Sequence, residues 1–434
     1  MALKQSVKYT IGKEDAGTPG TSVARAAVIP IRDIGSLDRD ITKKTDPLIA
    51  GLGMDAGEYA VAGDVKGSIP LSPRNCAGWG HVLKGTFGTE GTPAQVIGLI
   101  RIKYTGSSAS CKITTDVSAK TINSKIGALG SETNDAAFGT SGTLDLTAAA
   151  VDTVAELKAV IDAYADYECE IVTGASDTTI TSVVSGTFQA KAKWAFLWLT
   201  GSGSGAYLHK FTPDLVLGNE RATYSVQKDG FADNYLYDGV VFTKLSLSAA
   251  AKADVEGDVE VLGMGETIGQ SASVLTAPSG KPYKFGGGYT SLAGTKYSYV
   301  RKHDLSFDNG HSTEGYGQDE LDRVYHERGK FSVEGGVTLR LDATSVLERP
   351  KAALGTSIAV QLLYKEVENT FALSVDGLML IEVPYAEISE TPKPELNGDS
   401  MDIAIKFKGF NPGTATDYEA PVSVAILTAD SGAY

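Results

Sequence analysis

The sequence is poor in the residues that most chemistry and most anchoring require. Among 434 residues there are three cysteines, five histidines, five methionines and three tryptophans. Cys76, Cys111 and Cys169 are far apart and odd in number, so neither a disulfide framework nor a zinc-ligand spacing can be read from them. They read as buried or idle thiols. The histidines, His81, His209, His303, His311 and His326, show no HExxH or other ligand spacing, and the last three fall in or beside a polar loop where solvation is expected. Positive charge is also short: 39 basic residues face 53 acidic ones, a net charge of −14. That balance excludes a nucleic-acid binder held by phosphate contacts and a binder of anionic membranes. No apolar run is long enough to span a bilayer, the richest being Trp194–Leu199, and Met1–Gly12 lacks an apolar signal core. The expectation is a soluble product made in a cytoplasm, without membrane insertion.

Chemistry is equally thin. The Gly-rich segments at Gly201 and Gly286 lack the Lys-Ser/Thr of a P-loop and do not open a helix, so they read as linkers or turns. Acidic pairs abound, as in any acidic chain, but no nucleophile or metal signature accompanies them. No enzyme, cofactor, metal or catalytic residue is expected.

What the chain does have is alternation. With 49 glycines, only 15 prolines and many Ser, Thr and Val, it favours short strands and turns over helices. The clearest stretch is Lys244–Met264. There Asp254, Glu256, Asp258 and Glu260 alternate with Val255, Gly257, Val259 and Val261, which puts four acids on one strand face and an apolar row on the other. Like charges in a row repel, and ordinary surfaces interleave Lys or Arg between them. The grammar Val-x-Gly-x-Val/Ile occurs at Val65–Ile69, Val255–Val259 and Val333–Val337, as though equivalent strands bend alike at a central glycine. Lys66, Lys330 and Arg340 fall on the corresponding polar faces. Between Arg32 and Gly63 lie about thirty residues without clear periodicity, a length that in a compact domain usually has a task. Leu48, Ile49 and Leu52 mark it as a loop that docks on something.

The middle differs in texture. Val96–Tyr104 and Ser110–Thr115 read as a hairpin, and Asp152–Ala165 is the clear helix, with apolar residues at helical spacing and a Thr153/Glu156 capping box. A second short helix is expected over Thr344–Leu354, interrupted at Pro350. Trp194 and Trp198, inside an alternating run, are expected to pack in a core. The resulting division is 1–93 and 199–434 for an all-β unit, with 94–198 as a small α/β domain inserted into it.

Several phrases resemble the tail tube proteins of long-tailed bacteriophages: YTIGKEDAGTPGTSVARAAVIPI, GDVKGSIPLSP, LHKFTPD followed by ATYSVQKDG, LYDGVVFTKLSLSAAAKADVEGDVEVLG, and DLSFDNG with GKFSVEGGVTLRL. They run in the order the family shows, and 94–198 lies outside them. The resemblance implies a mainly β, sandwich-like subunit that assembles as a hexameric ring and contributes strands to one barrel around a channel. Rings would stack through a long loop, here the one bearing Leu48, Ile49 and Leu52. The row Asp254, Glu256, Asp258 and Glu260 would line a bore through which DNA passes without specific binding. The implied partners are further copies of the chain and other tail proteins (tape measure, tail terminator, distal tail), in a virion tail assembled in the host cytoplasm. Two other readings stand beside it: the inner tube of a contractile tail or injection machine, and a secreted β-sandwich adhesin.

Overall fold

The computed structural model of the chain describes residues 7–15, 18–45, 58–216, 221–230, 233–278, 280–312, 315–316, 322–342, 345, 351, 357–397, 400–411 and 420–434. It is mainly β, and a ladder of eight strands organises it: β1 (Asp38–Thr45), β2 (Glu58–Leu71), β3 (Asn234–Ala250), β4 (Glu256–Gly263), β5 (Val300–Asp308), β6 (Ser332–Arg340), β7 (Val375–Ile388) and β8 (Ser400–Gly409). Every neighbouring pair is antiparallel, in the order β1, β2, β4, β3, β5, β6, β8, β7. Alternation gives this sheet two unlike faces. Val65, Ile69, Val259, Leu245, Phe307, Val337 and Ile405 are buried on one of them, while Lys66, Glu256, Glu260 and Glu334 stand exposed on the other.

The buried face is covered by a second layer. Its strands run in the order Gly88–Glu90 with the start of Ala94–Tyr104, then Tyr207–Pro213, Ser423–Thr428, β7, Ile358–Phe371 and Lys284–Leu292. β7 therefore belongs to both layers, pairing with Ser423–Thr428 along its middle and with β8 at its end. Burial of this shared core, which takes in Trp79, Tyr224, Phe242, Leu362 and Ile426, is the main stabilising contribution, at about 1.5–3 kcal/mol for each large apolar side chain.

Two expectations change here. The aperiodic segment Arg32–Gly63 contains β1 and the first part of β2, paired from Asp38↔Lys66 to Thr45↔Glu58. Its sequence, DRDITKKT, alternates charges and not hydropathy, because neither face of this arm enters the core; the hydrophobic signal for a strand is absent. Val96–Tyr104 and Ser110–Thr115 do not pair with each other. Ala94–Tyr104 joins Tyr167–Thr173 and Ala195–Thr200, whereas Ser110–Asp116 joins Thr121–Gly127 and Gly186–Gln189 in a separate small sheet. The intervening Gly-Ser segment passes between sheets instead of turning within one. The helix expected over Thr344–Leu354 lies largely outside the described residues.

The helix α2 (Val154–Asp162) forms where its capping box starts it: Glu156 N–H donates to Thr153 Oγ1, and the Glu156 carboxylate accepts from Thr153 N–H. It packs Val154, Leu157 and Ile161 into a cluster of buried residues drawn from 97–199. A third cluster joins that region to the rest, with Trp194, Phe196 and Trp198 against Tyr289, Leu363 and Leu380. Both tryptophans are thus core residues, 5% exposed. The Arg101 guanidinium is held between the Trp194 and Tyr289 rings, 4.5 and 3.8 Å from their centroids, and pairs with Glu170.

The helix α1 (Ala77–Phe87) precedes α2 in the chain and has no amphipathic signature, since nine of its eleven residues are buried. Its glycines are contact points. A Cβ on Gly78 would lie 1.9 Å from the Val28 carbonyl oxygen, and one on Gly85 would lie 2.1 Å from the Phe242 ring. Gly78→Ala is accordingly expected to lower stability by about 3 kcal/mol or more, whereas Gly286→Ala, with open space around it, should stay within about 0.5 kcal/mol of the parent. Denaturant unfolding of the two variants checks this, and equal midpoints would contradict the packing account.

Candidate channel-lining face

The polar face of the eight-strand sheet is dished, with a trough of about 400 Å³ along its centre lined by Arg32, Lys244, Ser246, Asp258, Asp304 and Glu334. The cross-strand register decides which charges meet. Glu260 stands opposite Lys244 on β3 and opposite Ser68 on β2, and its carboxylate lies 3.7 Å from the Lys244 ammonium. Glu256 pairs with Arg32 from the segment leading into β1. Asp258 stands opposite Ser246 on β3 and Pro70 on β2, half-buried; burial raises its carboxyl above the ordinary range, against the pull of Arg32 and of a hydrogen bond from Ser68. The three acids therefore have a cation or hydroxyls beside them, all supplied from outside β4. These exposed ion pairs contribute at most about 1 kcal/mol each, so they temper the repulsion without making the row a source of stability.

Asp254 does not share this arrangement. The chain leaves the ladder before β4, and Asp254 makes an isolated bridge to Lys284 instead. The row expected to hold four acids holds three on the strand. The reason is that Val255 N–H donates to the Tyr283 carbonyl at 2.7 Å, which draws the entry of β4 toward the second layer. Leu48, Ile49 and Leu52 lie outside the described residues.

Around the trough acids and lysines are interspersed both along and across the strands. Lys66 lies 3.3 Å from Asp40 and 3.6 Å from Asp64. Burial would raise the Asp64 carboxyl, but hydrogen bonds from Tyr316 and Arg323 outweigh it and hold it below the usual range. Farther along, Lys302 meets Asp304 at 2.8 Å and Lys408 meets Glu334 at 2.9 Å. Arg340 is exposed at the end of β6, and Lys330 precedes that strand. The face is mixed overall and most acidic over β4, whose three acids have no basic residue on their own strand.

A family model for the phage tail tube protein matches residues 5–409 of the chain. The chain belongs to that family. No curated protein matches it. Membership makes this tail tube chain a structural component of the virion tail, one that self-assembles with other tail parts. Among its described residues no helix is long and apolar enough to cross a membrane, and no group of three or more His, Cys, Asp or Glu side chains is arranged to hold a metal ion.

His303, His311 and His326 of the tail tube chain are not solvated as their sequence context implied. His303 is buried between Thr290 and Tyr364, 2.9 Å from each hydroxyl. His311 and His326 face each other edge to face at 6.2 Å. The polar loop that carries the last two folds back over β2, where Arg323 meets Asp64 at 3.1 Å, so its histidines face inward. Burial pushes His303 down to about 3 and His81, His311 and His326 down to about 4. Unfolding returns each to its ordinary value near 6.5, so below that pH the unfolded chain binds protons that the folded chain refuses. Their contribution to stability is complete above about pH 6.5 and is lost as pH falls toward 4. Asp238, raised to about 6 by burial and by Glu14, works in the opposite sense, as do the carboxyls of Asp258 and Glu266, which burial also raises; the four histidines outweigh them. The urea midpoint should fall steadily from pH 7 to pH 4.5; a midpoint that stays level or rises would contradict this.

Proposed function

We propose that the chain closes into rings of sixfold design that stack into a hollow tail tube, and that the polar face of the eight-strand sheet lines the bore through which the DNA genome passes. The observation that carries the reading is a two-faced sheet whose end strand is open: among the described residues β1 pairs with β2 alone on its long edges. An exposed strand edge invites pairing with another chain, and closure into a barrel removes it. The dished polar side suits an aqueous lumen, and the apolar side is already covered within the chain.

The lining works passively. Glu256, Asp258 and Glu260, with Asp254 at the entry to their strand, repel phosphates, and the interspersed lysines are tied to acids, so few counterion-release contacts are available to hold the duplex. The connection 46–57 between β1 and β2, with Leu48, Ile49 and Leu52, stacks one ring on the next. Residues 94–198 form an inserted domain that projects outward, since a bore sized for DNA has no room for them. The partners are copies of the chain and the tape measure, terminator and distal tail proteins, assembled in the host cytoplasm. The chain is not an enzyme. An inner tube of a contractile tail would use the same lining, and a sheath around the tube identifies it; an adhesin would remain monomeric at high concentration.

Negative-stain imaging of the concentrated protein tests the reading, with rings and tubes as the expected result. In assembled tubes, E256K/D258K/E260K is expected to retain added linear duplex DNA that the parent releases, with retention falling steeply as salt rises; equal release by both would remove the lining assignment. Deleting residues 47–53 should leave soluble chain that no longer polymerises, and tubes of normal length after that deletion would refute the stacking role.

A further inference from the structure

The order of the ladder repeats itself. β1, β2, β4, β3 is followed by β5, β6, β8, β7, and each set consists of a first hairpin, then the second strand of a later hairpin, then that hairpin's first strand. The registers coincide residue for residue. Val65 on β2 stands between Arg39 and Gly263, and Val333 on β6 stands between Phe307 and Gly409. From these anchors Val65, Gly67 and Leu71 correspond to Val333, Gly335 and Leu339. Leu37 and Asp40, before and on β1, correspond at the same spacing to Leu305 and Asp308 on β5. Both glycines are required by close approach: a Cβ on Gly67 would lie 2.6 Å from Leu37 Cα, and one on Gly335 would lie 2.6 Å from the Phe407 ring. Further on, Phe87-Gly88-Thr89 is echoed by Leu354-Gly355-Thr356.

We infer that the chain is a tandem duplication of one tube unit, so that three copies, and not six, complete each ring. The inference rests on the ring reading above and revises the hexamer implied by resemblance: six units surround the bore, two from each chain. Barrel geometry agrees. With eight strands per chain, a spacing of about 4.8 Å and a tilt near 40°, three copies make a barrel roughly 50 Å across and six make one about twice as wide. The narrower barrel already admits a duplex whose grooves are each about 8 Å deep.

Duplication also names the surfaces that meet. Inside one chain the two units join where β3 pairs with β5, from Lys244↔Asp308 to Ala250↔Lys302. The equivalent junction between chains sets β7 and its continuation Pro394–Asn397 against β1 of the next copy. Exposure supports this occupant. In the first unit Ala249 and Val255, beside β5 and the Tyr283 segment, are 3% and 1% exposed. Met401 holds the place of Val255 in the second unit, with Leu396 opposite it, and these two are 45% and 78% exposed. A second copy of this chain, placed as β5 is placed on β3, covers them. The acids also follow the duplication: the places of Glu256, Asp258 and Glu260 on β4 are held by Asp402, Ala404 and Lys406 on β8. The bore would then carry three acidic sectors alternating with three mixed ones, and 94–198, present once per chain, would give three projections per ring.

Native mass measurement of rings dissociated from tubes, with class averages of ring end views, tests the stoichiometry. Three chains and three projections are expected. Rings of six chains would overturn the inference while leaving the tube reading standing, and failure to form any ring at high concentration would overturn the tube reading itself. Leu396→Lys, at a side chain open in the single chain, is expected to leave the unfolding midpoint unchanged and to reduce tube yield at least tenfold. Parental tube yield from that variant would overturn the proposed junction.

Discussion

The structure depends on one constraint: every strand of the ladder must satisfy its backbone on both edges while showing water on one face and core on the other. Unpaired buried N–H and C=O groups are costly, and a register slip of one residue would turn the apolar set outward. Within the chain both demands are met from β2 across to β8. Among the described residues they are not met at β1 and beyond β7, which is why the ends of the sheet, more than its centre, say what the molecule is for.

The same constraint accounts for the way charge is distributed. Acids on β4 are spaced by the strand period, and their cations come from Arg32, from Lys244 on β3 and, for neighbouring acids, from Lys66 on β2. Pairing across strands leaves the face hydrated and close to saturated with its own ions. Such a surface offers passing phosphates little to hold, which is the property a conduit needs. The second layer has the opposite task. It shields the apolar face and, through Arg101, Trp194 and Tyr289, fixes the region 94–198 to the scaffold.

Much of this was legible in the chain. The alternation at β3, β4 and β6 placed those strands, and Thr153 with Glu156 placed α2, because each pattern is local. The helix Ala77–Phe87 was not legible, since a helix buried on all sides loses its periodicity and its glycines look like breakers until Val28 and Phe242 are seen against them. β1 was missed because its alternation is one of charge. The histidines and Trp198 show the contrast: the tryptophan's alternating surroundings predicted burial, whereas the polar residues around His311 and His326 concealed a loop that folds back onto β2.

The sequence by itself determined the class of structure, the two-faced strands and the family, because side-chain period and short phrases are properties of neighbouring residues. Only the tertiary structure decided which charges stand together, why Asp254 leaves the row, and that β1 to β4 and β5 to β8 follow one plan. Those facts live in registers between residues far apart in the chain, where the hydrogen-bond ladder, and not the order of residues, sets who is whose neighbour.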